Sequence, residues 1–478
     1  MEVQLVRARR DSHRGKKQIR RSGTHSQRAP EKPRSCIVIG AGLAGLSAAY
    51  RLKTRGWNVT VLEALQKVGG RVFSYKFEQA PKLTCELGAE WIGVQHKAIR
   101  RLCDELGLKL QRHRYSFAFW NGGKPPSRFF KPGAWCFSRK VGRNFKAFKK
   151  LFVNYDAAQI RDLDQFDWWS VLRSLGFTNE ELRNRDLMDS TDFGETIRLT
   201  SAYGAAAEYS EGTDTDAMDY KIRGGNNQLP YALAGELDPD ALYLSAKVRA
   251  IHQTSAGVKV FVNGRKRPFR AEFCICSVPA QCLLKIKWKP ALPEEQAAAA
   301  QQLQYSRIMK TAVLFNRRFW PHYKRSGFSA FTTRISDFCF DSTYGQRGSK
   351  GILCSYSIGD KADDLSSEPS KANIKEWIRG DMMKVTRTKE TQSKKPKGKK
   401  SQGKQSEIVA IDVRPQAWQK VPWIGGAYAF YRPGQWFTVR PILQRAHGRV
   451  LFAGEHLADL QGFMEGAVNT GEAAADQL

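Results

Sequence analysis

The sequence predicts an α/β protein, a Rossmann-like nucleotide-binding domain interleaved with a second, α+β domain. Three observations predict it. A strand, a glycine turn, a helix, a second strand and an acid succeed one another between Ser35 and Glu63. Apolar, β-branched runs of similar character return in the middle and at the end of the chain, as FCICSVP and GRVLFAGE. Between them lies material of different pattern, helical in one block and mixed in the other, so neither domain is continuous in sequence.

SCIVIG (Ser35 to Gly40) reads as a buried strand because it is short, apolar and β-branched. It runs into Gly40-Ala-Gly42-Leu-Ala-Gly45 and then LSAAYRLKTRG, whose apolar residues fall at helical spacing. Asn58 to Glu63 is a second strand ending in an acid, which completes a βαβ unit. From about Lys97 to Tyr220 the residues favour helices, most clearly in LFVNYDAAQIRDLDQFDWWSVLRSL and TNEELRNRDLMDS. After Gly224-Gly225 come QLPYALAGEL and two alternating stretches expected as strands, LYLSAKVRAIHQ and GVKVFVNG. SRIMKTAVLFN and GILCSYSIG are expected as strands, and a terminal helix is expected from about Met464. At 478 residues the chain exceeds one compact core, so two domains are expected. The pattern assigns 35–95, 221–285 and 445–478 to the nucleotide-binding domain, and 96–220 and 286–444 to the substrate domain.

The net charge of +32 is concentrated in a basic tail, 1–34, and a lysine-rich insert, 388–406. Neither holds enough apolar surface to offset the entropy of ordering, so both are expected to be disordered. They read first as solvated segments, and second as a patch for nucleic acid or an anionic membrane. The tail has adjacent arginines but no apolar stretch, so no export signal is expected. No run approaches the roughly 20 apolar residues of a membrane span. Nine cysteines, an odd number without a CxxC pair, suggest buried thiols rather than a disulfide framework or metal site. A reducing, cytoplasmic setting is expected.

The chemistry begins at the glycine turn. With Gly40, Gly42 and Gly45 between a strand and a helix, backbone N–H groups and the helix dipole can meet a pyrophosphate. Glu63, about twenty residues on, can accept ribose hydroxyls, which favours FAD or NAD over NADP. Then follow Lys67-Val-Gly69-Gly70-Arg71-Val72 and Cys85-Glu86-Leu-Gly88-Ala89-Glu90-Trp91-Ile-Gly93. Paired glycines let backbone approach a cofactor, and Arg71 offers a cation to its phosphates.

With these segments the chain resembles the flavin-containing amine oxidase family, which includes monoamine, polyamine and L-amino-acid oxidases and the flavin histone demethylases. The resemblance covers about residues 35 to 478. It extends through GGNNQLPYAL, Val248 in AKVRAI, FCICSVP, Leu451-Phe-Ala-Gly454-Glu455 and Gly462-Phe463-Met464-Glu465-Gly466-Ala467. It implies a Rossmann-like FAD-binding domain with an interleaved substrate-binding domain. Gly70, Arg71, Ala89, Glu90 and Trp91 would serve the cofactor, Val248 would meet the adenine, and Glu455 would lie near the ribityl chain. Met464 would open a helix aimed at the flavin. Lys310 matches the lysine that holds a water beside the reactive flavin nitrogen. Tyr428 and Phe463 match the aromatic pair that flanks the substrate amine; in monoamine oxidases both are tyrosines. Trp418 and Trp423 would shape the pocket. Ala427 stands where monoamine oxidases attach FAD through cysteine, so noncovalent FAD is implied.

The implied reaction passes a hydride equivalent from an amine or amino acid to flavin, releases an imine, and returns electrons to oxygen as hydrogen peroxide. Some relatives use another acceptor. Arg432 reads either as an anchor for an amino-acid carboxylate or as a surface arginine. The basic surface weighs against highly cationic polyamines, and a homodimer stays open. Two other readings are a C–C desaturase or isomerase of the carotenoid or protoporphyrin type, and a basic nucleic-acid-associated protein with a vestigial flavin site.

Overall fold

Ser35–Ile39 is buried over four of its five residues and occupies the middle of a five-stranded sheet. The strands run in the order Val450–Phe452, Phe273–Cys276, Ser35–Ile39, Asn58–Leu62, Leu242–Tyr243, every neighbouring pair parallel. The start, middle and end of the chain therefore meet in one sheet, as the recurrent apolar runs predict. Parallel strands are covered on both faces, and these alternate accordingly. Cys36 and Val38 pack with the helices Leu43–Thr54 and Met464–Asp476, whereas Ile37 and Ile39 pack with Ile251, Val258 and Val260 of a second sheet. That sheet has the order Phe269–Ala271, Gly257–Val262, Val248–Thr254, Lys287–Lys289.

The computed structural model describes residues 33–120, 129–131, 138–211, 218–321, 326–386 and 407–478. The lysine-rich insert and the basic tail up to residue 32 lie outside these residues, as does Cys136, whereas Arg34, expected in the disordered tail, stands over the Trp57 ring and pairs with Glu272. The other eight cysteines are buried and free. No described helix is long and apolar enough to cross a membrane.

The largest sheet has six strands: Ala410–Ala417, Ile308–Phe315, Gly351–Ile358, Phe338–Asp341, Gly327–Thr332 and Tyr115–Trp120. Its register sets up the site. Met309 and Val313 point to a core shared with the helix Lys371–Val385. The alternate residues Ile308, Lys310, Ala312 and Leu314 take the opposite face, which covers the Cys85–Trp91 segment.

Two expectations need correction. The stretch Lys97–Tyr220 is not uniformly helical, because Tyr115–Trp120 pairs in parallel with Gly327–Thr332. YSFAFW is rich in aromatics, which pack well on a buried pleated surface, and no short helix would bury all of them. LYLSAKVRAIHQ is not one strand but two, Leu242–Tyr243 and Val248–Thr254, in different sheets. Between them Ser245 adopts φ 54°, and the N–H groups of Ser245 and Ala246 donate to the carbonyls of Leu65 and Glu63. From Arg139 to Glu211 the helical reading holds, as five helices. Asp156, Asp167 and Thr178 cap the first turns of three of them with their side chains.

The helices Leu43–Thr54 and Met464–Asp476 touch closely where Gly471 faces Ala44. A Cβ on Gly471 would lie 2.1 Å from the Ala44 carbonyl oxygen and 2.4 Å from Ser47 Oγ. Gly471→Ala is expected to lower stability by about 2 kcal/mol, since the backbones must move apart. Gly235→Ala, where a Cβ would meet nothing within 4 Å, serves as the matched control and is expected to leave the melting temperature unchanged or slightly raised in circular-dichroism melts.

Candidate active site

A single cavity of about 420 Å³ reaches from the first glycine turn to the aromatic wall around Tyr428. Its nucleotide-side wall is largely backbone. Gly40 holds φ +102°, and Gly42 is the N-cap of Leu43–Thr54 but offers no side-chain cap. First-turn N–H groups of a helix without such a cap need another acceptor. A Cβ on Gly42 would meet nothing within 4 Å, so the glycine leaves the helix end bare toward the cavity it lines. Glu63 lines the same space, its carboxylate fixed by the N–H groups of Ala41 at 2.7 Å and Leu65 at 2.8 Å. Burial raises its proton affinity and these N–H donors lower it. Gly70, Val248 and Trp423 complete this end. Trp423, expected beside Trp418 in the pocket, adopts φ 64° and lies under Lys247 at 3.7 Å and Lys285 at 5.3 Å, on the Val248 side.

Gly45 does not line the cavity. A Cβ there would fall 2.0 Å from the Gly40 carbonyl oxygen, so it serves the close packing of helix on strand rather than contact with a cofactor.

A second bare helix end approaches the same cavity. Met464–Asp476 begins after Phe463, which provides no side-chain cap, and both Phe463 and Met464 are wall residues. Two uncapped helix N-termini, a fixed carboxylate and a glycine-lined wall fit a dinucleotide with a flavin ring at its far end. Ala427, also in the wall, has no nucleophile with which to bond it.

Arg71 and Glu455 line the cavity together, as an ion pair of 2.6 Å. Arg71 also donates to the Ala427 carbonyl, and Glu455 accepts from Gly462 N–H at 3.0 Å. Much of the Arg71 charge is therefore answered by Glu455 rather than held open for phosphates. Trp418 lines the wall and donates Nε1–H to the Leu87 carbonyl at 2.8 Å.

Lys310 is 3% exposed and Glu90 is 2% exposed. Lys310 Nζ donates to Glu90 Oε2 at 2.8 Å and to the Gly88 carbonyl at 2.9 Å; Glu90 Oε1 lies 2.8 Å from His113 Nε2. Against the upward push of burial, Lys310 and His113 hold the Glu90 carboxyl down at about 2. Burial, followed by the field of Lys221, lowers His113 to about 4, so it is neutral at pH 7. Ala89, Glu90 and Trp91 do line the cavity, yet the Glu90 carboxylate is engaged by Lys310 and His113.

Tyr428 donates its hydroxyl to the Thr191 carbonyl at 2.7 Å, and Tyr356 Oη stands 3.0 Å from it. Phe463 meets the edge of His96 at a ring distance of 5.5 Å. Both Tyr428 and Phe463 are in the wall, whereas Arg432 is not. Sequence reasoning missed His113, Tyr356, Thr191 and Asp192, which reach the site through tertiary pairing. The only available signal for Tyr356 was its placement in an apolar run, GILCSYSIG, expected to be a strand.

The family profile described as flavin containing amine oxidoreductase matches residues 43–478. The chain belongs to that family. Among relatives of this flavin amine oxidoreductase, an L-amino-acid oxidase of Siganus canaliculatus is 26% identical over 92% of this chain and 84% of its own length. An L-amino acid dehydrogenase of Synechocystis sp. is 24% identical over 94% and 96%. A putrescine oxidase structure, in its form bound to putrescine, shares the fold with a TM-score of 0.78 at 20% identity, covering 94% of this chain and 99% of its own. The oxidoreductase uses a flavin, FAD, to oxidise the carbon–nitrogen bond of an amine or amino acid.

Breaking the Glu90–Lys310 pair from one side strands a buried ammonium. Glu90→Gln is expected to cost about 3 kcal/mol or more in urea unfolding, and Lys310→Met in the same background is expected to restore part of it. His113 gives a pH test. The wild type loses stability as pH falls from about 6.5 toward about 4, because the unfolded imidazole takes up a proton that the folded one refuses. The deficit of His113→Gln measured at pH 7.5 should therefore narrow by about 2 kcal/mol at pH 5.0.

Proposed function

We propose that this cavity is the active site of an amine or amino-acid oxidase with noncovalent FAD and oxygen as electron acceptor. The observation that carries the reading is continuity: one cavity joins the bare glycine turn to the Tyr428–Phe463 wall, with Lys310 between them. Gly40, Gly42, Glu63, Gly70 and Val248 would hold the nucleotide, and the Met464 helix end would face the flavin. The segments 35–95, 221–285 and 445–478 would form the cofactor-holding domain, and 96–220 and 286–444 the substrate domain. Bound FAD supplies the two-electron sink.

The residues of the chain supply position and dryness. Tyr428, held by Thr191 and Tyr356, and Phe463, held against His96, would orient the amine between two rings and keep water from it. Burial, then Tyr356, pushes the Tyr428 hydroxyl well above its usual range, so it remains protonated and does not act as a base. Lys310 Nζ donates to Glu90 and Gly88 and, over a long 3.5 Å, to the Glu86 carbonyl; a cavity water that displaced this weakest contact would be oriented by the third proton. Family names support both amine and amino-acid substrates, and both oxidase and dehydrogenase chemistry. The buried free cysteines support a reducing, cytoplasmic setting.

The purified protein is expected to be yellow, to release its flavin on acid precipitation, and to be bleached anaerobically by at least one amine or L-amino acid. A colourless protein that takes up no added FAD would sink the reading; a yellow one bleached by none of them would favour C–C desaturation. Tyr428→Ala is expected to lower kcat/KM at least tenfold with flavin content retained. Lys310→Met is expected to bleach with substrate but regain its colour in air about tenfold more slowly.

A further inference from the structure

Beside Tyr428, whose hydroxyl donates to the Thr191 carbonyl, the last turn of the helix Asn179–Phe193 brings Thr191 and Asp192 into the cavity wall, together with Met218. The surfaces leading there, Ile308, Phe331, Phe338 and Tyr356, carry no charge. Two of the cavity's cations are answered by carboxylates. Lys310 is paired with Glu90, and Arg71 with Glu455. Lys247 and Lys285 belong to the opposite end, over Trp423.

Asp192 differs. Its Oδ2 accepts the Tyr209 hydroxyl at 2.9 Å, and among the described residues no lysine or arginine forms an ion pair with it. Arg185, on the same helix, is bound to Asp189 at 2.6 Å. The groups around Asp192 are Asp189 and Arg185 on its own helix, Tyr209 and Glu208 from the helix Ala202–Glu211, Tyr356 from Gly351–Ile358, and Tyr428. This neighbourhood is short of positive charge.

We propose that Asp192 is a specificity-determining residue that receives a second ammonium group, so that the preferred substrates are diamines or other amines with a distal cation. The inference rests on the amine-oxidising reading of the same cavity. A mostly apolar stretch of wall that carries one half-buried carboxylate selects a flexible chain with a terminal cation. The same arrangement disfavours an α-amino acid with an apolar side chain. No arginine stands among the described residues at this end of the cavity to take the amino-acid carboxylate, and Asp192 would oppose it. The basic balance of the chain slows polycations only at long range, and salt screens that field beyond about 8 Å, whereas Asp192 acts at contact. Burial, then Asp189, pushes the Asp192 carboxyl up to about 7. An arriving ammonium would favour the ionised form and displace that proton, so diamine affinity should rise as pH climbs through this range.

The test is anaerobic stopped-flow bleaching of the full-length, FAD-loaded protein by 1-aminopentane, 1,5-diaminopentane and L-leucine. The ratio of second-order rate constants, diamine over monoamine, is expected to be about 50 in the wild type and to fall below about 5 in Asp192→Asn. On the wild type alone, the same ratio is expected to drop between pH 8 and pH 6, which keeps the test decisive if the variant does not fold. A wild-type ratio near one, a ratio unchanged in Asp192→Asn, or faster bleaching by L-leucine overturns the assignment of Asp192 while leaving amine or amino-acid oxidation intact. A flavin-loaded wild type bleached by none of the three, nor by a wider amine and L-amino-acid panel, overturns the oxidase reading itself, and this inference with it.

Discussion

The pairing of a buried ammonium with a buried carboxylate constrains the centre of this protein. Taking Lys310 and Glu90 out of water costs several kcal/mol for each ion, and the pair is tolerated only because both are also hydrogen-bonded. Lys310 is met by Glu90 and the Gly88 carbonyl, and Glu90 by His113. His113 in turn stands against Tyr115, at the start of an outer strand of the six-stranded sheet. One ion pair thus ties the strand Ile308–Phe315 to the segment after Cys85 and to the opposite edge of the sheet. Without that tie, nothing in the strand register alone would hold a charged side chain against the floor of the cavity.

A second pair does similar work nearer the surface of the cavity. Arg71 and Glu455 come from opposite ends of the chain, and each also bonds backbone of the stretch around Ala427 to Ala429. The two pairs leave the cavity with little unanswered charge except where the chain offers dipoles or a lone carboxyl. At the glycine-turn end the uncapped helix Leu43–Thr54 turns its dipole to the cavity, and the uncapped helix Met464–Asp476 does so beside Phe463. Near Tyr428, Asp192 presents a carboxyl that forms no ion pair among the described residues. A cavity whose wall joins a glycine turn to aromatic side chains without a strong base suits chemistry carried by a cofactor.

Much of this was readable beforehand because it was local. The strand–turn–helix at Ser35 to Thr54 and the acid at Glu63 lie within one βαβ unit, where spacing alone brings the groups together. The family-specific segments singled out Lys310, Tyr428, Phe463 and Met464, and all four line one cavity. Gly45 was misassigned because a motif shows where glycine is needed but not whether a ligand or a neighbouring backbone needs it. The strand Tyr115–Trp120 was missed because its partner lies some two hundred residues away, and a short aromatic run has no periodicity long enough to separate strand from helix.

The sequence by itself determined the βαβ unit and the order of the segments, since these rest on residue types at short spacing, and its resemblance to the family carried the cofactor class. Only the tertiary structure decided which charges neutralise one another. Glu90 and Arg71 read as cofactor ligands in the linear order; in space one faces Lys310 and His113, the other Glu455. Asp192 could have been any acid on a helix until the fold placed it in the cavity wall without a cationic partner among the described residues. Coulombic pairing falls off over a few ångströms, and distances of that size between remote residues exist only once the chain has folded.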